Sequence, residues 1–191
     1  MGKPFIFYCN ALHRCILLNL LWLSACAPMP PAPPAVTTLP AVYEVDGRIA
    51  IIWDGQGQQG HFRWQHQPTY DRIDLRGPLG QTLGRLEWDQ QQARFYDQHK
   101  QSYFADNVEI LAVHHLGWYL PVNDLRYWLF GLASPRLSAQ WSHHQGQRLL
   151  RQNGWQISYS SEENTLPTSL KLWHPRVEVK IILDSWSLEP R

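Results

Sequence analysis

The chain has 191 residues, 17 lysines and arginines against 16 acidic residues, a formal net charge of +1 and ten tryptophans. Near-neutral charge argues against a nucleic-acid partner, and the length suits one domain rather than two. Cysteines stand only at positions 9, 15 and 26, so no disulfide framework is expected.

At the N-terminus, His13 and Arg14 precede a largely apolar run from Cys15 to Trp22, which ends in Leu23-Ser24-Ala25-Cys26. The run is far shorter than the roughly 20 residues that span a bilayer. It reads as a signal peptide over residues 1–25, and the small residues before Cys26 read as a lipobox. The alternative is an ordinary secretory signal that abuts a cysteine. On the lipobox reading the Cys26 thiol carries diacylglycerol and its amine an acyl chain, with no other cofactor. Cleavage removes Lys3 and Arg14 and leaves 15 basic against 16 acidic residues, a net charge of about −1. Residues 26–40 are proline-dense and uncharged, which predicts an extended tether.

A single β domain is expected over residues 41–191. Ile49, Ile51 and Trp53 alternate on one strand face, Asp54-Gly55-Gln56-Gly57 makes a turn, and Phe62 and Trp64 follow. Ile73 and Leu75, then Leu86 and Trp88, repeat the pattern, and Phe95 to Tyr103 supplies two short strands around Asp97-Gln98-His99-Lys100. Between the Ile73 and Leu86 strands, Gly77-Pro78-Leu79-Gly80 turns sharply. Leu79 there either projects bare from a tip or tucks back under the hairpin. Asp106 predicts an N-cap for a helix over 107–116 with Gly117 as its stop, and Asn123 or Asp124 one for a second helix through Phe130, stopped by Gly131. That second helix, with Leu125, Trp128 and Leu129, is apolar almost all round and must be buried or cover something apolar. Strands resume at 138–141, 148–152 and 155–160, and Leu170 and Leu172, then Val177, Val179, Ile181 and Leu183, complete the pattern. About eleven strands and two helices result, in a mainly β chain whose sheet should curl or close.

No catalytic constellation stands out. There is no Gly-x-Ser-x-Gly elbow. The pairs His114-His115 and His143-His144 lack the spacing of a helical ligand pair, so neither metal nor enzymatic activity is expected. The apolar strand-face set, comprising Ile51, Trp53, Phe62, Trp64, Ile73, Leu75, Leu86, Trp88, Leu170, Leu172, Ile181 and Leu183, forms either a sealed core or a ligand cavity. The abundance of tryptophan shifts the balance toward a cavity, with the second helix as its lid.

Taken together, several motifs resemble those of the LolB family of outer-membrane lipoprotein receptors. These are Gly47-Arg48, Arg63-Trp64, Gly77-Pro78-Leu79-Gly80, the stretch from Gly117 to Leu132, Leu166-Pro167, and Lys180-Ile181 through Asp184-Ser185-Trp186. The resemblance implies an unclosed antiparallel β-barrel with helices covering one side, anchored at the outer membrane on its periplasmic face as a monomer. It implies an apolar cavity that receives acyl chains of lipidated cargo from the periplasmic carrier LolA. It also implies a protruding loop, Gly77, Pro78, Leu79 and Gly80, that contacts outer-membrane phospholipid during insertion. On this reading the strand-face set with Leu125, Trp128 and Leu129 is the acyl site, and Arg72, Arg76 and Arg85 are candidates for the carrier contact. The family usually has a glutamine-rich helix before its first strand, where this chain has the proline tether. The rival reading is a lipocalin-like lipid- or glycan-binding envelope lipoprotein.

Overall fold

Alternating apolar residues separated by short turns build a sheet whose neighbours in sequence are neighbours in space. The computed structural model describes residues 33–117, 119–144, 146–161 and 164–188. Among them lie β1 (Tyr43–Trp53), β2 (Gln56–Gln67), β3 (Tyr70–Arg76), β4 (Thr82–Asp89), β5 (Ala93–Asp97) and β6 (Ser102–Ala105). Then come α1 (Val108–Leu116), α2 (Val122–Trp128), β7 (Gln140–His144), β8 (Gln147–Gln152), β9 (Trp155–Ser160), β10 (Ser169–His174) and β11 (Val177–Ser187).

The eleven strands form one sheet in the order β6-β5-β4-β3-β2-β1-β11-β10-β9-β8-β7. Every pairing between these strands is antiparallel, including that of β1 with β11 at the centre. β6 and β7 are therefore edges, and the barrel is unclosed. The helical segment connects these two edges, which carries α1 and α2 across the inner face of the sheet. Asp54-Gly55 and Asn153-Gly154 close two hairpins with φ of 46° and 80°, and 53° and 76°. Positive φ at both positions gives the turn whose twist matches that of the strands it joins.

Several boundaries differ from the sequence expectation. The cap of α1 is Asn107 rather than Asp106: its extended backbone lets its side chain accept from the Glu109 N–H at 2.7 Å. Gly117 ends the helix with φ 81°, as expected. α2 begins at Val122 behind Pro121 and has no side-chain cap, because its two candidates are engaged elsewhere. Asn123 donates to Glu109 Oε1 at 3.0 Å, and Asp124 accepts from Asn153 Nδ2 at 3.0 Å. α2 also stops at Trp128, and β7 starts at Gln140 rather than Ser138.

The end of the proline-rich stretch belongs to the fold. Leu166 N–H donates to the Pro33 carbonyl at 2.8 Å and Ala35 N–H to that of Asn164 at 2.9 Å, while Val36 and Leu39 pack against the core. The lipobox and Cys26 lie outside the described residues.

Candidate functional site

Beneath the helices, the inner faces of β1–β4 and β11 enclose a cavity of about 130 Å³. Nine residues of the strand-face and helix set meet on it: Ile51, Phe62, Trp64, Ile73, Leu75, Leu86, Leu125, Leu129 and Ile181. They come from five strands and α2, and they meet because alternate residues of each strand share one face. Ile49, Ala112, Leu120 and Val122 complete the apolar wall, and Gln58, Gly60, Arg76 and Leu83 stand at its solvent side.

The other six predicted residues sit elsewhere. Trp53 is half-buried at the end of β1, against Gly117. Trp88 is buried edge-on to Trp64, with the Arg126 guanidinium 5.9 Å from its ring centre. Trp128, Leu170 and Leu172 are fully enclosed in the packed half of the inner face, and Leu183 is buried on β11 opposite Gly47.

Leu83 was missed by sequence reasoning, and the reason is a bulge. Leu75 pairs with Gly84 and Arg76 with Thr82, so Leu83 has no partner across the strand pair. An extra residue of this kind re-aims its side chain, here to the cavity mouth. Period-2 counting from Leu86 and Trp88 places Leu83 on the wrong face.

α2 is tied down at two points. Near its middle, Arg126 reaches the buried Asp71 carboxylate at 3.5 Å; Trp64 Nε1 donates to Asp71 at 2.8 Å, and His66 Nδ1 lies 2.8 Å from the same oxygen. At its C-terminal end Trp128 Nε1 donates to Gln152 Oε1 at 2.9 Å. Gln152 also accepts from Ser134 N–H and donates to the carbonyls of Ser134 and Leu137, each at 2.9 Å. No sequence signal marks this glutamine, since its value lies in four hydrogen bonds to three residues that folding assembles.

The β3–β4 connection places Leu79 at a tip, 94% exposed. Gly77 N–H donates to the Gln81 carbonyl at 2.8 Å and Gly80 N–H to that of Gly77 at 2.9 Å, closing the loop on itself. Gln81 Oε1 accepts from the Leu79 N–H at 3.1 Å. A side chain at Gly77 would displace the Gln81 amide that accepts from Leu79, and Gly80 has φ 82°, a conformation that favours glycine. Of the arginines considered for a carrier contact, Arg72 and Arg85 both hold Asp74, at 2.8 and 2.6 Å. Arg76 is exposed and borders the cavity.

A model of the family described as "Outer membrane lipoprotein LolB" matches residues 41–186. The chain is 29% identical over 187 residues to the outer-membrane lipoprotein LolB of Marinomonas sp. (strain MWYL1), covering 92% of this chain and 97% of that one. It is 31% identical over 157 residues to that of Nitrosomonas europaea, covering 78% and 74%. Among solved structures, a LolA superfamily protein from Nitrosomonas europaea superposes with a TM-score of 0.50 at 5% identity, covering 81% of this chain and 89% of that one. That likeness shows a shared fold. With the family model spanning the whole sheet and both helices, the chain belongs to the LolB family of outer-membrane lipoproteins.

Proposed function

We propose that this protein accepts the acyl chains of lipoproteins from a LolA-type periplasmic carrier and passes them into the outer membrane, while its own Cys26 carries the lipid that anchors it. The observation that carries this reading is the continuity of cavity and loop. Arg76, which leads into the Leu79 loop, and Leu83, which follows it, both border the cavity. A chain leaving the apolar space at this mouth therefore emerges beside the one bare leucine at the loop tip. Burying that leucine in a bilayer contributes about 1.5–3 kcal/mol.

Covering matters because each methylene exposed to water costs about 0.8 kcal/mol. The cavity of about 130 Å³ is comparable to engineered cavities of about 150 Å³ that hold benzene, so a long acyl chain requires α1 and α2 to give way. With no catalytic step involved, direction follows from differential affinity: the carrier holds the chains less tightly than this protein, and the bilayer more tightly than either. Trp64, Trp88, Trp128 and Trp155 are buried, which favours an enclosed apolar site over an exposed aromatic platform for glycans.

The test loads purified carrier with a labelled lipoprotein and follows the label first to this protein and then into vesicles. Leu79→Glu is expected to leave receipt within about twofold of wild type and to reduce insertion at least tenfold. Receipt and insertion both at wild-type levels would remove the loop from the mechanism, and absence of receipt by the wild type would refute the proposed function itself.

A further inference from the structure

On the outer face of the sheet, beside the Leu79 loop, stands a group of cations of which only Arg76 borders the cavity. Lys171 on β10 and Lys180 on β11 are exposed and directly opposite each other. Like charges at paired positions repel, so the arrangement costs stability and calls for a function. Lys180 pairs in turn with Ala50 on β1, and Ala50 with Gln59 on β2. A shallow depression of about 300 Å³, bordered by Lys180, Arg48, His61 and Pro78 among others, joins the lysine to the loop. Arg76 lies exposed where the chain enters that loop.

The carboxylates on the same strands leave much of this charge uncompensated. Asp184 is held by Arg48 at 2.7 Å and Asp46 by Arg63 at 2.7 Å, which leaves Glu178, two residues from Lys180 on the same strand face, as the exposed carboxylate beside the lysine pair. Among the described residues Arg76, Lys171 and Lys180 have no carboxylate within ion-pair distance.

We propose that Arg76, Lys171 and Lys180, with Leu79 at their border, form a docking surface for anionic phospholipid headgroups. This deepens the functional reading above and rests on Leu79 being the membrane-contacting side chain. The surface would turn the cavity mouth toward the membrane before cargo leaves. A lipid surface fits better than an acidic protein face because the apolar element is a single protruding leucine. Protein interfaces centre on clustered anchors in packed pockets, whereas a deformable bilayer admits one leucine while the cations behind it meet the headgroups. Such cations each contribute about 1 kcal/mol near an anionic leaflet, and screening shortens their reach to about 8 Å at physiological salt.

The experiment uses the mature chain with Cys26→Ala, so that no anchor of its own holds it, and measures co-sedimentation with vesicles. One set is phosphatidylethanolamine with phosphatidylglycerol, the other phosphatidylethanolamine with phosphatidylcholine. Binding is expected only to the anionic set and is expected to fall as salt rises. Lys171→Gln with Lys180→Gln should weaken it about fivefold per charge removed, and Lys171→Arg with Lys180→Arg should restore it. Equal binding to both sets, no binding to either, or wild-type binding by the double glutamine variant overturns the proposal. If that variant binds vesicles normally but receives cargo poorly from the carrier, the patch serves a protein partner and the lipid assignment is wrong. Leu79→Gln separates this from failure of the functional reading: it should keep the dependence on anionic lipid and on salt while losing insertion. If instead Leu79→Gln inserts cargo normally, the loop reading fails whatever the lysines do.

Discussion

Two halves of one inner face, built from the same alternating strand pattern, end in opposite states. Where β8–β10 meet α2, Trp128, Leu150, Trp155, Ile157, Leu166, Leu170 and Leu172 are each under 2% exposed. Where β1–β4 face Ala112 of α1 and Val122 and Leu125 of α2, Ile49, Ile51 and Leu75 stay half-exposed around the cavity. Hydrophobicity does not separate them, since both are apolar, and neither do indoles or polar anchors, since Trp64 and Trp88 lie 5.7 Å apart beside the Asp71 cluster in the second half; the side chains immediately around the cavity do. The packed half has two indoles with ring centres 6.2 Å apart and the Gln152 clamp beneath them. Aliphatic side chains dominate the wall of the open half, and its helix α1 is linked to α2 through Glu109, which accepts from Asn123. A transfer protein needs both: a half that keeps the sheet in shape and a half that yields to a guest.

The largest effect should come from breaking the packed half. Trp128→Ala deletes a fully buried indole and leaves Gln152 Oε1 without one of its donors, so a loss of about 3–5 kcal/mol is expected from urea unfolding. Ile51→Ala, in the open half, removes a half-exposed side chain that already faces empty space and should cost about 1 kcal/mol. Equal losses at the two positions would mean that the halves do not differ in packing and that the cavity is incidental.

Filling the open half sharpens the contrast in the other direction. Ile51→Trp places a larger apolar side chain toward the cavity and should leave stability level or raise it by about 0.5–1 kcal/mol. A bound fatty acid would then lose the burial of about two methylenes, near 0.8 kcal/mol each, so its affinity should fall roughly tenfold. Titration with a fluorescent fatty acid measures this, and undiminished binding would place the acyl site elsewhere.

Much of this architecture is legible in the chain because local rules agree there. Asp54-Gly55 and Asn153-Gly154 demand hairpins, Gly117 demands a helix stop, and the alternation from Ile49 to Leu183 yields about eleven strands, while the open edge of the sheet is implied only by the family resemblance. The division of the inner face is not legible. Leu170 and Leu75 show the same period-2 signal, yet one is sealed and the other lines open space, because the outcome depends on what α1 and α2 lay across each strand. Leu83 escapes for a related reason, since a bulge fixed by pairing with β3 changes its face. Leu79 shows the reverse: composition left it bare or tucked, and the hydrogen bonds among Gly77, Gly80 and Gln81 decide for exposure. The missing cap of α2 has a tertiary cause, in that Asn123 and Asp124 are good local caps whose partners, Glu109 and Asn153, compete successfully for them.

The smallest expected effect tests whether the open half loosens before the packed one. His115 on α1 stacks on Phe95 of β5, with ring centres 4.2 Å apart, and lies 4.5 Å from Tyr103 of β6, so it fastens the helix to the sheet edge. Partial burial holds its pKa below the ordinary imidazole value, His114 pushes it the same way, and Asp97 opposes both. A base whose pKa is lowered by folding binds protons more readily in the unfolded chain. Its contribution is therefore full above about pH 6.5, the unfolded value, and is lost as pH falls toward the folded one. Hydrogen exchange should show α1 amides losing protection between pH 7 and about 5.5 while those of α2 keep theirs, after correction for the intrinsic rate. His115→Phe retains the stack without a titrating group and should abolish the difference. Equal loss in α1 and α2, or a difference that survives in His115→Phe, would show that the two lid helices open as one unit and that the contrast between the halves stops at the sheet.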